Sequence, residues 1–217
     1  RAVVGDRPAL RIDQTSYSVG LWIKHDGNSD SGAYLLHKTT GNRGYSLFFN
    51  GDGDTPTLSF SHTRGGSATI TSSNGIPAGR WTHVAITYDG SAQRMYVNGQ
   101  LDATNSTSNG IQSVFDEEDK VKLWIGSGSG GTSDFFSGQL DNLRIWDRAR
   151  APGEIQSSLL GEVVGNEEAL LAAWRFDENS GPARSTRNRR LTATLKNDAA
   201  LTTADRPIRV FPPRKVA

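Results

Sequence analysis

The chain has 217 residues, a formal net charge of +1, 24 glycines and no cysteine, and 35% of its residues are hydrophobic. The absence of cysteine excludes disulfides, zinc–thiolate sites, iron–sulfur clusters and a cysteine nucleophile. No apolar run approaches the ~20 residues of a membrane-spanning helix, so the sequence predicts no transmembrane segment.

A hydrophobic period of two residues predicts strands through most of the chain. Residues 17–24 and 82–88 alternate apolar with polar or small side chains, which is typical of strands with one face turned to a core. About thirteen short strands separated by Gly, Asn, Asp and Ser clusters indicate an all-β sandwich or barrel. The other predicted strands are, in chain order, 9–13, 33–39, 45–50, 57–62, 68–72, 93–97, 100–104, 121–126, 138–146, 170–177 and 192–196.

Two local signals refine this pattern. Asn98-Gly99 lies between strand residues and predicts a type I′ hairpin, in which both turn residues take positive φ. A short helix is predicted over about 152–160, because Pro152 suits the first turn and Glu154 is favourable at the positive end of the helix dipole.

The domain boundaries follow from the ends of this pattern. Residues 1–8 are interpreted as a flank and residues 205–217, which carry three prolines and four basic residues, as a Pro/Arg-rich tail, since proline breaks sheets. The chain is therefore predicted to form a single domain over 9–204. The segment of about residues 170–197 is expected to return to the sheets and form edge strands.

Four segments in a fixed order carry a resemblance to a known family. They read YSVGLWIK at 17–24, IPAGRWTHVAITYD at 76–89, MYVNG at 95–99 and FSGQLDNLRIWDRAR at 136–150. Together they resemble the laminin-G-like jelly-roll domain of the concanavalin A-like lectin/glucanase superfamily, which also contains the pentraxins. The resemblance implies an all-β, two-sheet antiparallel jelly-roll sandwich with one short C-terminal helix and six or seven strands in each sheet.

The sequence does not carry the catalytic pattern of that superfamily. Its glucanases use three carboxylates at alternating positions of one strand, which the period of two projects into one cleft. Here Glu117-Glu118-Asp119 is followed by Lys120, Val121 and Lys122, so the third carboxylate is missing. His83 is interpreted as a structural histidine, and the sequence predicts no enzyme.

A structural calcium ion is implied by the resemblance. Calcium takes six to eight oxygen ligands from carboxylates, carbonyls and water. By position in the family pattern, Asp141 matches the carboxylate ligand and Gly44 the turn carbonyl, and Asp13 is a third candidate. The alternative is that Asp141 pairs with Arg144 or with a neighbouring amide.

Glycan binding requires an aromatic platform for the apolar faces of sugars and polar groups for their hydroxyls. In a strand over 121–126, Trp124 faces the side opposite to Leu123 and Ile125. Phe135 ends a Gly-rich loop, and Tyr34 is expected at a loop rim. These three residues are the predicted ligand contacts; the alternative is that they belong to a buried core. Trp22, Trp81 and Trp174 lie within strand motifs and are predicted to be core residues.

Two functional hypotheses remain open from the sequence. The first is a non-catalytic, calcium-stabilised module of a larger secreted or cell-surface protein that binds a polysaccharide or glycan and is a monomer as an isolated domain. The second is a protein-interaction or spacer module of an adhesin or multidomain surface protein. The formal charges of residues 178–217 sum to +6, and those of residues 1–177 sum to −5. Nucleic-acid binding is not predicted, because no aromatic residue is interleaved with the arginines at 184–190.

If calcium is bound as predicted, removing it will lower the melting temperature, because an ion that binds only the folded chain stabilises it by mass action. Thermal unfolding with excess chelator and with added calcium measures this difference. A melting temperature that is the same under both conditions would rule out the Asp141 site.

Overall fold

The computed structural model describes residues 1–12, 15–28, 31–41, 43–64, 66–111, 121–159, 161, 166–178, 180–197 and 199–202. Within this part of the chain there are fourteen strands and one α-helix, together with two short 3₁₀ helices at Pro8–Leu10 and Ser129–Gly131. In chain order the elements are β1 (Ala2–Val4), β2 (Tyr17–His25), β3 (Tyr34–Thr40), β4 (Arg43–Asn50), β5 (Thr57–Arg64), β6 (Ser67–Thr71), β7 (Thr82–Tyr88), β8 (Ala92–Val97), β9 (Gln100–Ser106), β10 (Leu123–Ile125), β11 (Gly138–Trp146), α1 (Pro152–Ser157), β12 (Leu170–Trp174), β13 (Ala183–Arg184) and β14 (Thr192–Leu195).

The strands form two antiparallel sheets. The eight-stranded sheet has the order β13-β14-β1-β10-β3-β4-β5-β6, and the six-stranded sheet has the order β12-β11-β2-β7-β8-β9. The neighbours are paired antiparallel throughout. The predicted two-sheet jelly-roll sandwich is confirmed, with eight and six strands in place of six or seven each.

The inward-facing side chains of both sheets share one core. In β2, Val19, Leu21 and Ile23 are buried, and in β4 so are Leu47 and Phe49. All five belong to a single cluster, as expected when the two inner faces of a sandwich interdigitate. The period-two pattern of the sequence thus predicted correctly which side of these strands is buried.

The first residues of the chain correct two predictions. Residues 1–8 are not a flank, because β1 lies inside the eight-stranded sheet and pairs with both β10 and β14. Its Ala2 and Val4 are buried. The strand predicted at 9–13 is instead a 3₁₀ turn over Pro8–Leu10, which fits a segment that has proline at its first position.

The returning C-terminal strands lie where they were predicted. β12 pairs with β11 at the edge of the six-stranded sheet, and β14 pairs with β1 in the other sheet. The helix is shorter than predicted and ends at Ser157, with Ser158 as its cap. Asn98 and Gly99 both have positive φ, as a type I′ turn requires. The predicted tail at 205–217 lies outside the described residues.

The tryptophan predictions are confirmed for one residue and wrong for two. Trp174 is fully buried in the core. Trp22 and Trp81 are only half-buried. In β2 the strand alternation turns Leu21 and Ile23 inward, so Trp22 faces outward, on the same side as its register partner His83. None of the described helices is both long and apolar enough to cross a membrane.

A buried ion cluster ties the segment after β1 to the eight-stranded sheet. The Lys38 ammonium donates to Asp6 Oδ1 at 2.8 Å and to the carbonyl oxygen of Val121 at 2.5 Å. Arg11 donates to Asp6 Oδ2 at 2.6 Å. The side chains of Lys38 and Asp6 are only 1% and 3% exposed. Burial raises the pKa of Asp6, but the hydrogen bonds from Arg11 and Lys38 outweigh it and the pKa is lowered.

Replacing Lys38 with Met should lower the free energy of unfolding by about 3 kcal/mol, because removing one partner of a buried ion pair leaves the other charge poorly compensated. Urea denaturation at neutral pH measures this change. The matched control is Arg94→Met, since the Arg94–Asp89 pair is about one-third exposed on both sides and should contribute less than ~1 kcal/mol. Equal losses in the two variants would contradict the role given to Lys38.

Candidate functional site

An aromatic patch lies on the outer face of the eight-stranded sheet; we define it as Tyr34, Phe48, Trp124 and Phe135. In β10, Leu123 and Ile125 point into the core, so the strand alternation turns the half-buried Trp124 outward. In β4, Phe48 is turned outward in the same way, between buried neighbours. The patch therefore uses positions that the core leaves free.

The strand register brings these rings together through His37. Trp124 is paired with His37, and Tyr34 with Phe48. The Tyr34 ring packs edge-on against His37 with a centroid separation of 4.7 Å, and its centroid is 5.4 Å from that of Phe48. The aromatic side chains form a continuous row across three strands.

The loop after β10 adds the fourth ring, and Arg1, just before β1, adds a positive charge. Phe135 is 48% exposed, and its backbone forms a bridge to Tyr34. The guanidinium of Arg1 lies 5.8 Å from the ring centroid of Trp124 and 5.7 Å from that of Phe135, within cation–π distance of both. Arg1 thus links the sheet to the loop.

Polar groups border the patch on the loop side. The main-chain oxygen of Asp134 accepts a hydrogen bond from the Tyr34 amide at 3.0 Å, and the Asp134 carboxylate accepts one from the Ser133 hydroxyl at 2.7 Å. Burial lowers the pKa of His37, opposed by the nearby Asp134 charge, so the imidazole is neutral at pH 7. Burial also raises the pKa of Tyr34, aided by Asp134.

The outer face continues from the rings into a field of hydroxyl side chains. His37 lies opposite Ser46, Ser46 opposite Ser61, and Ser61 opposite Thr69. The Thr69 hydroxyl donates to the Ser61 hydroxyl at 3.1 Å. Ser46 is buried and Ser61 and Thr69 are not, so this face offers aromatic rings at one end and accessible hydroxyls at Ser61 and Thr69.

Glycine at position 131 lets the loop approach Trp124. Gly131 has a φ of +63°, and a Cβ atom added there would come within 2.5 Å of Cζ3 of Trp124 and within 2.8 Å of Nε of Arg1. Both the backbone conformation and the close contact exclude larger residues. The glycine-rich loop is therefore required to hold Trp124 and Arg1 in place.

The structure brings together the three residues that the sequence predicts as ligand contacts. Tyr34, Trp124 and Phe135 meet in one patch and none is a fully buried core residue. Phe48 and the bordering His37 were not predicted from the sequence. Strand alternation turns Phe48 to the side opposite Leu47 and Phe49, which could have identified it as a surface residue. Its pairing with Tyr34 depends on the strand register, which only the fold provides.

The predicted calcium ligands are not brought together where the structure describes them. Asp141 lies in β11 opposite Trp22, and its carboxylate accepts a hydrogen bond from the Asn142 amide at 2.7 Å. Gly44 lies in β4 of the other sheet, where it borders a small pocket with Lys38. The two residues lie in different sheets, and the described residues hold no cluster of three His, Asp or Glu suited to a metal. Asp13, like the Glu117–Asp119 run, lies outside the described residues.

A cleft of about 640 Å³ opens beside the patch, between residues of β1, β10 and β14 of one sheet and of β11 of the other. Phe135 belongs to both the patch and the cleft wall, and Arg1 also lines the cleft. The opposite wall is formed by the first half of β11, including Gln139 and Asp141, and by Phe176 after β12.

The fold places the chain in a class and the comparisons place it in a family. Two packed antiparallel sheets with these connections define a jelly-roll domain. The chain belongs to the concanavalin A-like lectin/glucanases superfamily, since a laminin-G family model matches residues 4–156.

Two curated relatives show how such a domain occurs in longer proteins. Mouse Pappalysin-1 is 26% identical over 167 residues, covering 70% of this chain and 10% of that protein. The human Adhesion G-protein coupled receptor D1 is 35% identical over 95 residues, covering 43% of this chain and 11% of the receptor. The chain spans about a tenth of the length of the relatives it matches.

Solved structures share the fold. A candidate carbohydrate binding protein from Bacteroides ovatus aligns with a TM-score of 0.66 at 19% identity, covering 89% of this chain and 57% of that one. Domain 4 of an extracellular arabinanase from Geobacillus stearothermophilus, in complex with arabinotriose, aligns with a TM-score of 0.50 at 21% identity, covering 67% and 66%. A pentraxin from Limulus polyphemus gives a TM-score of 0.52 at 21% identity, covering 71% and 74%.

Substituting Gly131 with Ala should displace the Trp124 ring, because the new methyl group would overlap it. The indole N–H resonance of Trp124 in a ¹H–¹⁵N spectrum, assigned with Trp124→Phe, should shift or broaden. Gly130→Ala is the matched control: it has a similar φ of +70°, and its nearest neighbour is Thr132 Oγ1 at 3.8 Å. Both variants carry the strain of positive φ, about 1–2 kcal/mol, so an indole resonance that moves equally in both would contradict the packing role of Gly131.

Proposed function

We propose that this domain is a non-catalytic, glycan-binding module of a larger extracellular or cell-surface protein, and that the aromatic patch is its binding surface. The observation that carries the proposal is the row of outward-facing rings on β3, β4 and β10 beside the exposed Phe135. Packing of the core does not require aromatic side chains at these outward-facing positions. Contact with a ligand would explain why aromatic residues occupy them.

The chemistry of the patch matches that of a sugar. A pyranose or furanose ring has an apolar C–H face that stacks on aromatic rings and hydroxyls that exchange hydrogen bonds with polar groups. Asp134 and neutral His37 lie beside the rings, and the more accessible Ser61 and Thr69 continue the same face. Arg1 adds a donor at the rim.

The comparisons support this proposal at the level of the superfamily. The arabinanase domain of the same fold was solved with arabinotriose, and the Bacteroides protein is a candidate for carbohydrate binding. No catalytic role is proposed, because the sequence lacks the three-carboxylate strand pattern of the superfamily's glucanases. Calcium binding stays a prediction, to be decided by the chelation experiment.

A protein-interaction module is the second candidate. Its support is the match to part of an adhesion receptor and three exposed arginines, Arg184 at the end of β13 and Arg189 and Arg190 in the turn before β14. A basic turn of this kind suits an acidic protein surface. Loss of partner capture on substituting these arginines, without loss of glycan binding, would favour it.

Truncating Tyr34 or Phe135 to Ala should weaken oligosaccharide binding about fivefold or more, because a truncated aromatic anchor costs above ~1 kcal/mol. A glycan array first identifies a ligand, and isothermal titration then measures its dissociation constant for each variant.

Leu101→Ala is the matched control for these variants. Leu101 is 56% exposed, so it is as accessible as Phe135, but it lies on β9 of the other sheet. Its substitution should leave the dissociation constant unchanged. An array without any bound glycan, or equal weakening by Leu101→Ala, would overturn the proposed function.

A further inference from the structure

The cleft beside the patch has an interior that is about half apolar. Five of its lining side chains are partly buried hydrophobic residues that pack against the main core on one side, namely Phe136, Leu140, Phe176, Leu195 and Leu201. Its volume of about 640 Å³ is within the ~300–1,000 Å³ of small-molecule sites. Apolar surface of this kind favours an occupant that displaces water from it.

The cleft exists because β12 is short. β12 pairs with β11 only from Leu143 to Trp146, whereas β2 pairs with β11 from Gly138 onward. The first half of β11 therefore has no neighbouring β12 strand and forms a wall of the cleft. Within this wall, Gln139 has a buried Oε1 without a hydrogen-bond partner among the described residues.

Phe176 gives a second and independent sign of a binding role. It has a φ of +54°, a conformation that is unfavourable for a bulky side chain. Such strain concentrates at functional sites, where the surrounding structure enforces it. Here the strained residue lies two positions after the end of β12, and Phe176 is part of the lining of the cleft.

We infer that the cleft binds the apolar aglycone of a glycoside, an alkyl or aryl group whose sugar lies on the aromatic patch. This inference rests on the proposed function, since Phe135 belongs to both the patch and the cleft wall, and Arg1, which lies over Phe135 and Trp124, lines the cleft as well. A ligand that lies across Phe135 contacts the aromatic patch on one side and the hydrophobic residues of the cleft on the other.

The test compares two probes that differ only in the aglycone. Octyl β-D-glucopyranoside, below its micellar concentration, and methyl β-D-glucopyranoside are titrated into the protein by calorimetry. The octyl probe should bind at least tenfold more tightly, because burial of about two methylene groups already gives that factor. The ratio should fall below twofold in Phe176→Asn, which removes the ring and keeps a residue that tolerates positive φ.

Two further variants separate this inference from the proposed function. Leu140→Gln should also abolish the octyl preference, whereas Tyr34→Ala should weaken both probes and leave their ratio unchanged. If only the octyl probe binds, and Phe176→Asn removes that binding, the result supports apolar binding in the cleft and contradicts sugar binding at the aromatic patch. Equal affinities for the two probes in the wild-type protein would overturn the inference. A preference that persists in both Phe176→Asn and Leu140→Gln would overturn it as well.

Discussion

The buried ion cluster of Lys38, Asp6 and Arg11 is the constraint on which the aromatic patch, the proposed binding surface, depends. Asp6 follows β1 in the chain, and Lys38 reaches it from β3 while also holding the carbonyl of Val121 just before β10. One ammonium group therefore joins the segments that flank β1 and β10. Because β1 is only three residues long, few ladder hydrogen bonds hold it, and a buried charge pair of this kind fixes its position. β1 in turn places Arg1 between Trp124 and Phe135.

The patch and the cleft are two consequences of the same loop. Glycines allow the segment after β10 to lie against the Trp124 ring and then to carry Phe135 outward and Phe136 inward toward the cleft. The outward ring is paired through the backbone with Tyr34. The inward ring packs against the core. An amphipathic ligand would use both sides of this loop, and its polar and apolar parts would then be recognised by neighbouring residues of one segment.

The sequence predicted the elements whose evidence is local. Alternation in β2 and β7, the Asn98-Gly99 turn and the outward parity of Trp124 follow from the period of a strand and from turn chemistry. What it could not predict depends on pairing between distant segments. β1 appeared to be a flank because three residues carry no periodic signal, and their burial comes from β10 and β14 on either side. His37 and Phe48 join the patch only through register, and the cleft exists only because β12 stops early beside β11.

The most direct test of this account is to map a bound oligosaccharide on the protein by chemical shift perturbation, with arabinotriose as the first probe and other glycans from the array after it. The account predicts that perturbed resonances cluster at Tyr34, His37, Trp124 and Phe135, while the outer face of the six-stranded sheet and the β13–β14 turn stay unchanged. Perturbations centred on Leu101 or on Arg184–Arg190, with the aromatic patch unaffected, would contradict it.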